Sequence, residues 1–405
     1  MKIIIFIENN QSGGLDSFCS TLLNAWPDKN DSFVCICNAS HPGEGTLRAS
    51  IPDSCQFLTH KIPLSWRVSK GLFGWLPISL MKISQPLLRI LLFPLQRFVL
   101  RRLFQRLGGD RLLVLNGGFP GGETCRIANI AWSDLGRAPG IHNFHNFAVP
   151  PRFGFGWYEN WVDRKLIMAT ERFISVSQVC TESLRIRPSF RNLNNILQIY
   201  NGISKSPEVG AEIPDLRQIF QIGNDPICLI LANYESRKGH GFLFKAFAKV
   251  AEQMPSAHLV VCGGGSKEQV AVVDALRRTI APKAHVYLLE FVPNGARLIE
   301  QVDLVLISSQ SFESFGLTAV EAMLRGVPVV STNVGGLPEV IGSDGEGGFT
   351  VAPNDVDGFV RHILDLLASP ARRVEVGERG RQRAKQLFDA GRMAREYRDV
   401  MRISP

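Results

Sequence analysis

Glu313-Ser314-Phe315-Gly316-Leu317-Thr318-Ala319-Val320-Glu321 is the stretch on which the reading of this chain turns. The apolar residues 304–307 before it have the pattern of a buried strand, and Leu317, Val320 and Leu324 recur at helical spacing after it. Gly326 and Pro328 stop that helix, and Val327 to Val330 open the next strand. The result is a strand, loop, helix, strand unit with Glu313 in the loop and Glu321 expected in the helix's first turn. Gly316 allows close approach of backbone to a ligand, and the amides of Leu317 and Thr318 open from the helix start, where an anion such as phosphate is favoured. Like charges repel, so Glu321 suits neutral hydroxyls such as those of a ribose. The same residues also fit a plain capping box, Thr-x-x-Glu, with no ligand.

Further features surround this stretch: Gly326-Val327-Pro328-Val329-Val330 behind it, then Gly335-Gly336-Leu337-Pro338-Glu339-Val340-Ile341. Together with Glu313, Phe315-Gly316 and Glu321, they resemble the signature of group 1 glycosyltransferases, which are retaining enzymes of the GT-B fold. The resemblance implies an α/β chain of two Rossmann-like, doubly wound domains facing across a cleft. Residues 1–200 would form the acceptor-side domain and 201–386 the nucleotide-sugar domain, with a helix at about 387–405 packing back on the first. The implied reaction moves a hexosyl or N-acetylhexosaminyl group from a nucleotide diphosphate sugar to a hydroxyl of a saccharide or lipid-linked saccharide, in cell-surface polysaccharide or glycolipid synthesis. No metal is expected, and no cofactor beyond the co-substrate. A nucleotide-sugar epimerase and a non-catalytic sugar-nucleotide sensor are alternatives of the same fold.

Length and pattern point the same way without the resemblance. A chain of 405 residues, 45% hydrophobic, can bury two cores, and strands alternating with helices through both halves argue two parallel sheets. The eight cysteines are scattered, with no Cys-x-x-Cys and no partners at metal spacing, and read as core thiols of a reduced compartment. The apolar run at residues 3–7 is too short for a signal peptide, which points to the cytoplasm.

Residues 54–109 stand apart. They hold nine Lys and Arg but no Asp or Glu, whereas the whole chain is +8, so the excess charge is concentrated here. Trp66, Phe73, Trp75, Leu87, Leu91, Phe98 and other apolar residues are interleaved with the charges. Pro77, Pro86 and Pro94 are expected to break the run, and no apolar stretch is long enough to span a bilayer. The composition of residues 61–106 suits an anionic membrane surface on the inner face; it equally suits a helix packed on its own sheet with arginines turned to water. Nucleic acid fits poorly, because the segment is rich in Leu and Phe and no nucleic-acid module surrounds it.

The remaining candidates follow along the chain. Ser12-Gly13-Gly14 is a strand-to-helix turn, which the resemblance places against the donor diphosphate. Residues 116–122 read as a flexible glycine loop. His142 and His145 lie toward a strand end, and the resemblance favours His145 as the histidine near the sugar. Residues 150–161 read as a mobile aromatic loop for an acceptor, or as core packing. Phe173 to Ser177 and Gln198 to Ile203 resemble the family's last first-domain strand and its crossover, followed by a surface connection at residues 204–214.

In the second half, Asn233, Arg237 and Lys238 follow a strand, and Lys238 with Gly239 matches the family's phosphate-binding lysine. The family commonly has an arginine where Asn233 stands; that departure leaves open one of the two usual phosphate cations, and whether Asn233 or Arg237 replaces it. Gly264, Phe315, Gly316, Leu317, Thr318 and Glu321 complete the implied donor site, with Glu313, His145 and Lys238 as catalytic residues. Asp355-Val356-Asp357 reads as a helix cap rather than a metal motif.

Overall fold

The computed structural model describes residues 1–11, 13–75, 77–204 and 213–402, without the side chains of 78–83. Ser12, Leu76, the side chains of Leu80 and Lys82, most of the 204–214 connection and residues 403–405 therefore lie outside the described residues. The chain divides into two compact units, 1–202 with 390–405, and 203–389.

The first unit is built on seven parallel strands: β1 (Lys2–Ile7), β2 (Ser32–Asn38), β3 (Cys55–His60), β4 (Arg111–Asn116), β5 (Gly140–Phe144), β6 (Thr170–Ser175) and β7 (Ile196–Gln198). Their order is β3-β2-β1-β4-β5-β6-β7. Both faces of the sheet are covered, which explains why β1 is apolar at every position from Ile3 to Ile7. The pleat sorts that run by parity: Ile3, Ile5 and Ile7 join a core with Phe18, Leu22 and Tyr397, while Ile4 and Phe6 join one with Phe93, Phe104 and Trp132. Tyr397 belongs to the helix Ala390–Arg402, and its hydroxyl accepts from Asn143 Nδ2 at 2.6 Å. The helix Pro370–Leu387 precedes that helix along the chain.

Three loop expectations in this unit are corrected. Pro86 and Pro94 do not break the chain: a single helix runs Ile78–Leu107 with both inside it. A proline interior to a helix costs about 3 kcal/mol, a loss offset here by burial of Phe93, Leu100 and Phe104 on the sheet. The aromatic segment at 150–161 is half helix, because Tyr158, Val162 and Leu166 recur at helical spacing and are buried, giving the helix Gly156–Met168. Residues 116–122 are pinned rather than loose. Asn116 Oδ1 accepts from Gly122 N at 3.0 Å and Asn116 Nδ2 donates to Pro120 O at 3.1 Å, across a cis Phe119–Pro120 bond.

The second unit carries β8 (Ile227–Leu231), β9 (His258–Cys262), β10 (His285–Leu289), β11 (Leu304–Ile307), β12 (Val329–Thr332) and β13 (Gly348–Val351), all parallel, in the order β10-β9-β8-β11-β12-β13. Its strands are again short apolar runs, and Leu259, Val261, Leu304 and Leu306 pack against Phe244, Phe247, Phe359 and Ile363. All eight cysteines are buried and none is in a disulfide.

Candidate active site

In an open parallel sheet, ligands lie beyond the carboxyl ends of the strands where the order reverses. In the second unit that point is between β8 and β11, and the loops leaving those strands are residues 232–239 and 308–316. Each loop holds the other. Gln310 N donates to Arg237 O at 2.9 Å, and Ser308 Oγ donates to Lys238 O at 2.7 Å. Gly239, left-handed at φ 72°, closes the turn where a Cβ would lie 2.0 Å from Ser308 O. The backbone of two consecutive cations is thereby fixed by the neighbouring strand's loop.

Their side chains converge on one carboxylate. Lys238 Nζ donates to Glu313 Oε2 at 2.5 Å, and Arg237 Nη1 lies 3.6 Å from the same oxygen. The Arg237 guanidinium is steadied elsewhere too: its Nε donates to Glu235 Oε2 at 2.5 Å, and it stands 5.1 Å from the centre of the Phe312 ring. Asn233 Nδ2 donates to the other Glu235 oxygen at 2.8 Å. Asn233 is thus neutral and turned toward Glu235, and Arg237 is the residue beside Lys238. Glu235 and the anchoring Gln310 are absent from the sequence reading; an acid two residues before an arginine in a polar loop was the available signal.

Glu313 is held from behind. Gly336 N donates to Glu313 O at 2.8 Å, and at Gly335, φ 60°, a Cβ would lie 1.9 Å from that oxygen. The Gly335-Gly336 pair lets one loop close onto the backbone of the other. Gly316, φ 99°, precedes the helix Leu317–Leu324, whose first residues Leu317 and Thr318 have no intrahelical acceptor for their amides. Thr318 lies inside the helix and Gly316 is its cap, so the Thr318-to-Glu321 capping box does not form. Glu321 sits in the second turn, not the first, and is half-buried.

Phe315 is also corrected. The residue is 2% exposed and its ring meets Phe388 edge-on at 5.5 Å, because an apolar ring is better placed in the core. Gly264 follows β9 and accepts from Tyr234 N at 2.9 Å, which sets it beside the β8 loop. Asp355 caps the helix Val356–Ala368 by accepting from Gly358 N at 2.9 Å. Among the described residues no cluster of His, Cys, Asp and Glu has metal-binding geometry.

In the first unit the order reverses between β1 and β4. Gly13, φ 151°, caps the helix Gly14–Asn24, and nothing lies within 4 Å of where its Cβ would be. An acid already occupies that helix start: Asp16 accepts from Gly13 N at 3.1 Å and lies 3.0 Å from His41 Nε2. His145 follows β5 and packs edge-on at 4.2 Å against Phe18 of the same helix. Its Nε2 is enclosed and has no partner among the described residues. Burial pushes the His145 pKa down to about 3. His142, by contrast, is fully buried inside β5 beside Asn116 and is a core histidine, not a strand-end one.

A second buried group here escaped the sequence reading. Glu8, just after β1, accepts from Thr124 N at 2.7 Å and Thr124 Oγ1 at 2.5 Å. Burial, then the neighbouring Glu123, raises its pKa. Glu123 accepts from Ser65 N at 2.6 Å and Gln96 Nε2 at 2.8 Å, with Arg89 Nε at 3.3 Å, which fastens the long helix to the end of the sheet.

Residues 212–383 match the family described as glycosyl transferases, group 1. That match lies within the second unit of the chain. The chain is 28% identical over 207 residues to the N-acetyl-alpha-D-glucosaminyl L-malate synthase of Bacillus anthracis, covering 51% of this chain and 53% of that protein. The chain thus spans about half the length of that curated relative. In fold it is similar over 99% of both chains to Anabaena Alr3699/HepE in complex with UDP, with TM-score 0.72 and 19% identity. It is likewise similar to a glycosyltransferase from Rickettsia africae, with TM-score 0.77 and 15% identity, over 99% of this chain and 97% of that one. The α/β, GT-B expectation is met by these likenesses and by the two parallel sheets.

Proposed function

We propose that this chain transfers a sugar from a nucleotide diphosphate sugar to a hydroxyl of a saccharide or lipid-linked saccharide, with retention at the anomeric carbon. The observation that carries the reading is the convergence of Arg237 and Lys238 on Glu313 at the switch point of the second sheet. Two cations facing a single carboxylate leave net positive charge there, and a diphosphate can compete with Glu313 for them. Its arrival would draw Lys238 and Arg237 onto phosphate oxygens and leave Glu313 to accept from sugar hydroxyls and to favour positive charge at the anomeric carbon. The complex of Anabaena Alr3699/HepE with UDP supports a nucleotide diphosphate as the ligand of this fold.

In the reaction, the bond from the anomeric carbon to the diphosphate oxygen breaks and its electron pair leaves on that oxygen. The acceptor hydroxyl bonds to the same face of the carbon, and its proton passes to the departing phosphate. Arg237, Lys238 and the amides of Leu317 and Thr318 supply the positive potential for that departure, so we assign the reaction no metal. Glu321 would hold the ribose, His145 the sugar, and Gly13 and Gly14 would line the diphosphate. We assign the acceptor to cell-surface polysaccharide or glycolipid synthesis.

The test is release of free nucleotide from a panel of nucleotide sugars with a lipid extract or oligosaccharides as acceptor, in EDTA. Release that depends on acceptor and falls about 10²–10³-fold in Glu313→Ala and Lys238→Ala is the expected result. Epimer formed without nucleotide release, or donor binding without any turnover, would overturn it in favour of an epimerase or a sensor.

A further inference from the structure

From Leu87 to Phe104 the helix Ile78–Leu107 carries apolar side chains on two opposite faces. One holds Phe93, Gln96, Leu100 and Phe104, buried on the sheet and tied to Glu123. The other presents Leu87, Leu91, Leu95 and Phe98, spaced as one stripe and exposed by 55%, 71%, 47% and 53%. A contiguous exposed apolar stripe opposite a buried one marks a surface that is covered in the working state, and among the described residues only the sheet-side face is covered.

Charge says what covers the other. The stripe runs into Arg101, Arg102 and Arg106, all exposed, and none of the three has an ion pair among the described residues. The Arg102 guanidinium lies 4.7 Å from the Phe98 ring, its stem along the apolar surface. The preceding helix Ser65–Phe73, joined to the long helix through Ser69 and Ser84, adds exposed Arg67, Lys70 and Leu72, with exposed Trp75 just after it. No Asp or Glu occurs in residues 54–109.

We infer that this face docks on an anionic lipid bilayer, with Leu87, Leu91, Leu95 and Phe98 in the acyl boundary and the arginines among the headgroups. A second copy of the chain is disfavoured as the occupant, since it would bring two positive faces together. The inference deepens the proposed reaction by placing its acceptor at a membrane, and it rests on that reading only for this last step.

The experiment is sedimentation of the full chain, without nucleotide sugar, with vesicles of phosphatidylcholine alone or with 30 mol% phosphatidylglycerol. Binding to the mixed vesicles at least tenfold above the neutral ones, weakened by salt, is expected. Leu91→Asp/Leu95→Asp should lose that binding at least tenfold with an unchanged unfolding temperature, since both side chains face solvent. Arg101→Gln/Arg102→Gln is the milder companion and should lower binding in the mixed vesicles only. Equal binding to both vesicle types, wild-type binding by the Asp variant, or a wild-type dimer in place of vesicle binding would overturn the inference. Nucleotide release measured separately with a soluble acceptor reports on the transferase reading, so the two can fail independently.

Discussion

Arg237 is the cation that stands with Lys238 at Glu313. Its planar fork reaches Glu235 on one edge and Glu313 on another, which a lysine ammonium cannot reproduce. Arg237→Ala should therefore reduce kcat/KM for transfer by at least tenfold, and Arg237→Lys should recover less than half of the loss, as steady-state kinetics would show. Gly335→Ala should lower transfer at least as much while donor titration shows weakened binding, because a left-handed backbone and a Cβ 1.9 Å from Glu313 O force the carboxylate loop to move. Lys238 and Glu313 were legible in the sequence because each lies in a contiguous motif beside a recognisable strand. The direction of Phe315 and the pairing of Glu235 with Arg237 were not. Side chains in an aperiodic loop carry no alternation from which their facing can be read.

The long helix shows what periodicity tells and what it hides. The sequence marked a basic, apolar segment, and prolines were read as breaks because they remove a hydrogen bond locally. The sheet beneath, which buries Leu100 and Phe104 completely, is a longer-range partner that a local rule omits. The two faces should therefore respond oppositely to truncation. Leu100→Ala should cost about 2–5 kcal/mol in denaturant unfolding, whereas exposed Leu91→Ala should stay within about 0.5 kcal/mol. The helix Gly156–Met168 carries the same lesson: its aromatic residues were prominent, but their spacing, with Tyr158 and Val162 inward and Trp157 outward, is helical.

At the scale of the molecule, the parallel order of both sheets follows from alternating apolar runs, and that much was visible before any coordinates. The buried titratable groups were not, and they set the pH response. His142 and His145 have pKa values pushed down to about 3, and His60 and His240 to about 4, chiefly by burial. Each stays neutral in the folded chain while the unfolded chain takes up a proton below its ordinary value of 6.5. That stability is intact above about pH 6.5 and is lost as pH falls toward the folded values, by about 2 kcal/mol at pH 5 for fully buried His142. Glu8, with its raised pKa, acts in the opposite direction above 4.5, but as one carboxyl against four imidazoles. Thermal unfolding should thus occur at lower temperature at pH 5 than at pH 7, and His142→Phe should flatten that slope even if it lowers the midpoint. The chain leaves its first unit after Gly202 and re-enters it at Ala390, with Met393 and Tyr397 completing a core begun at Ile3. On the ribosome, the half that is translated first therefore cannot finish folding until the half translated second has already emerged.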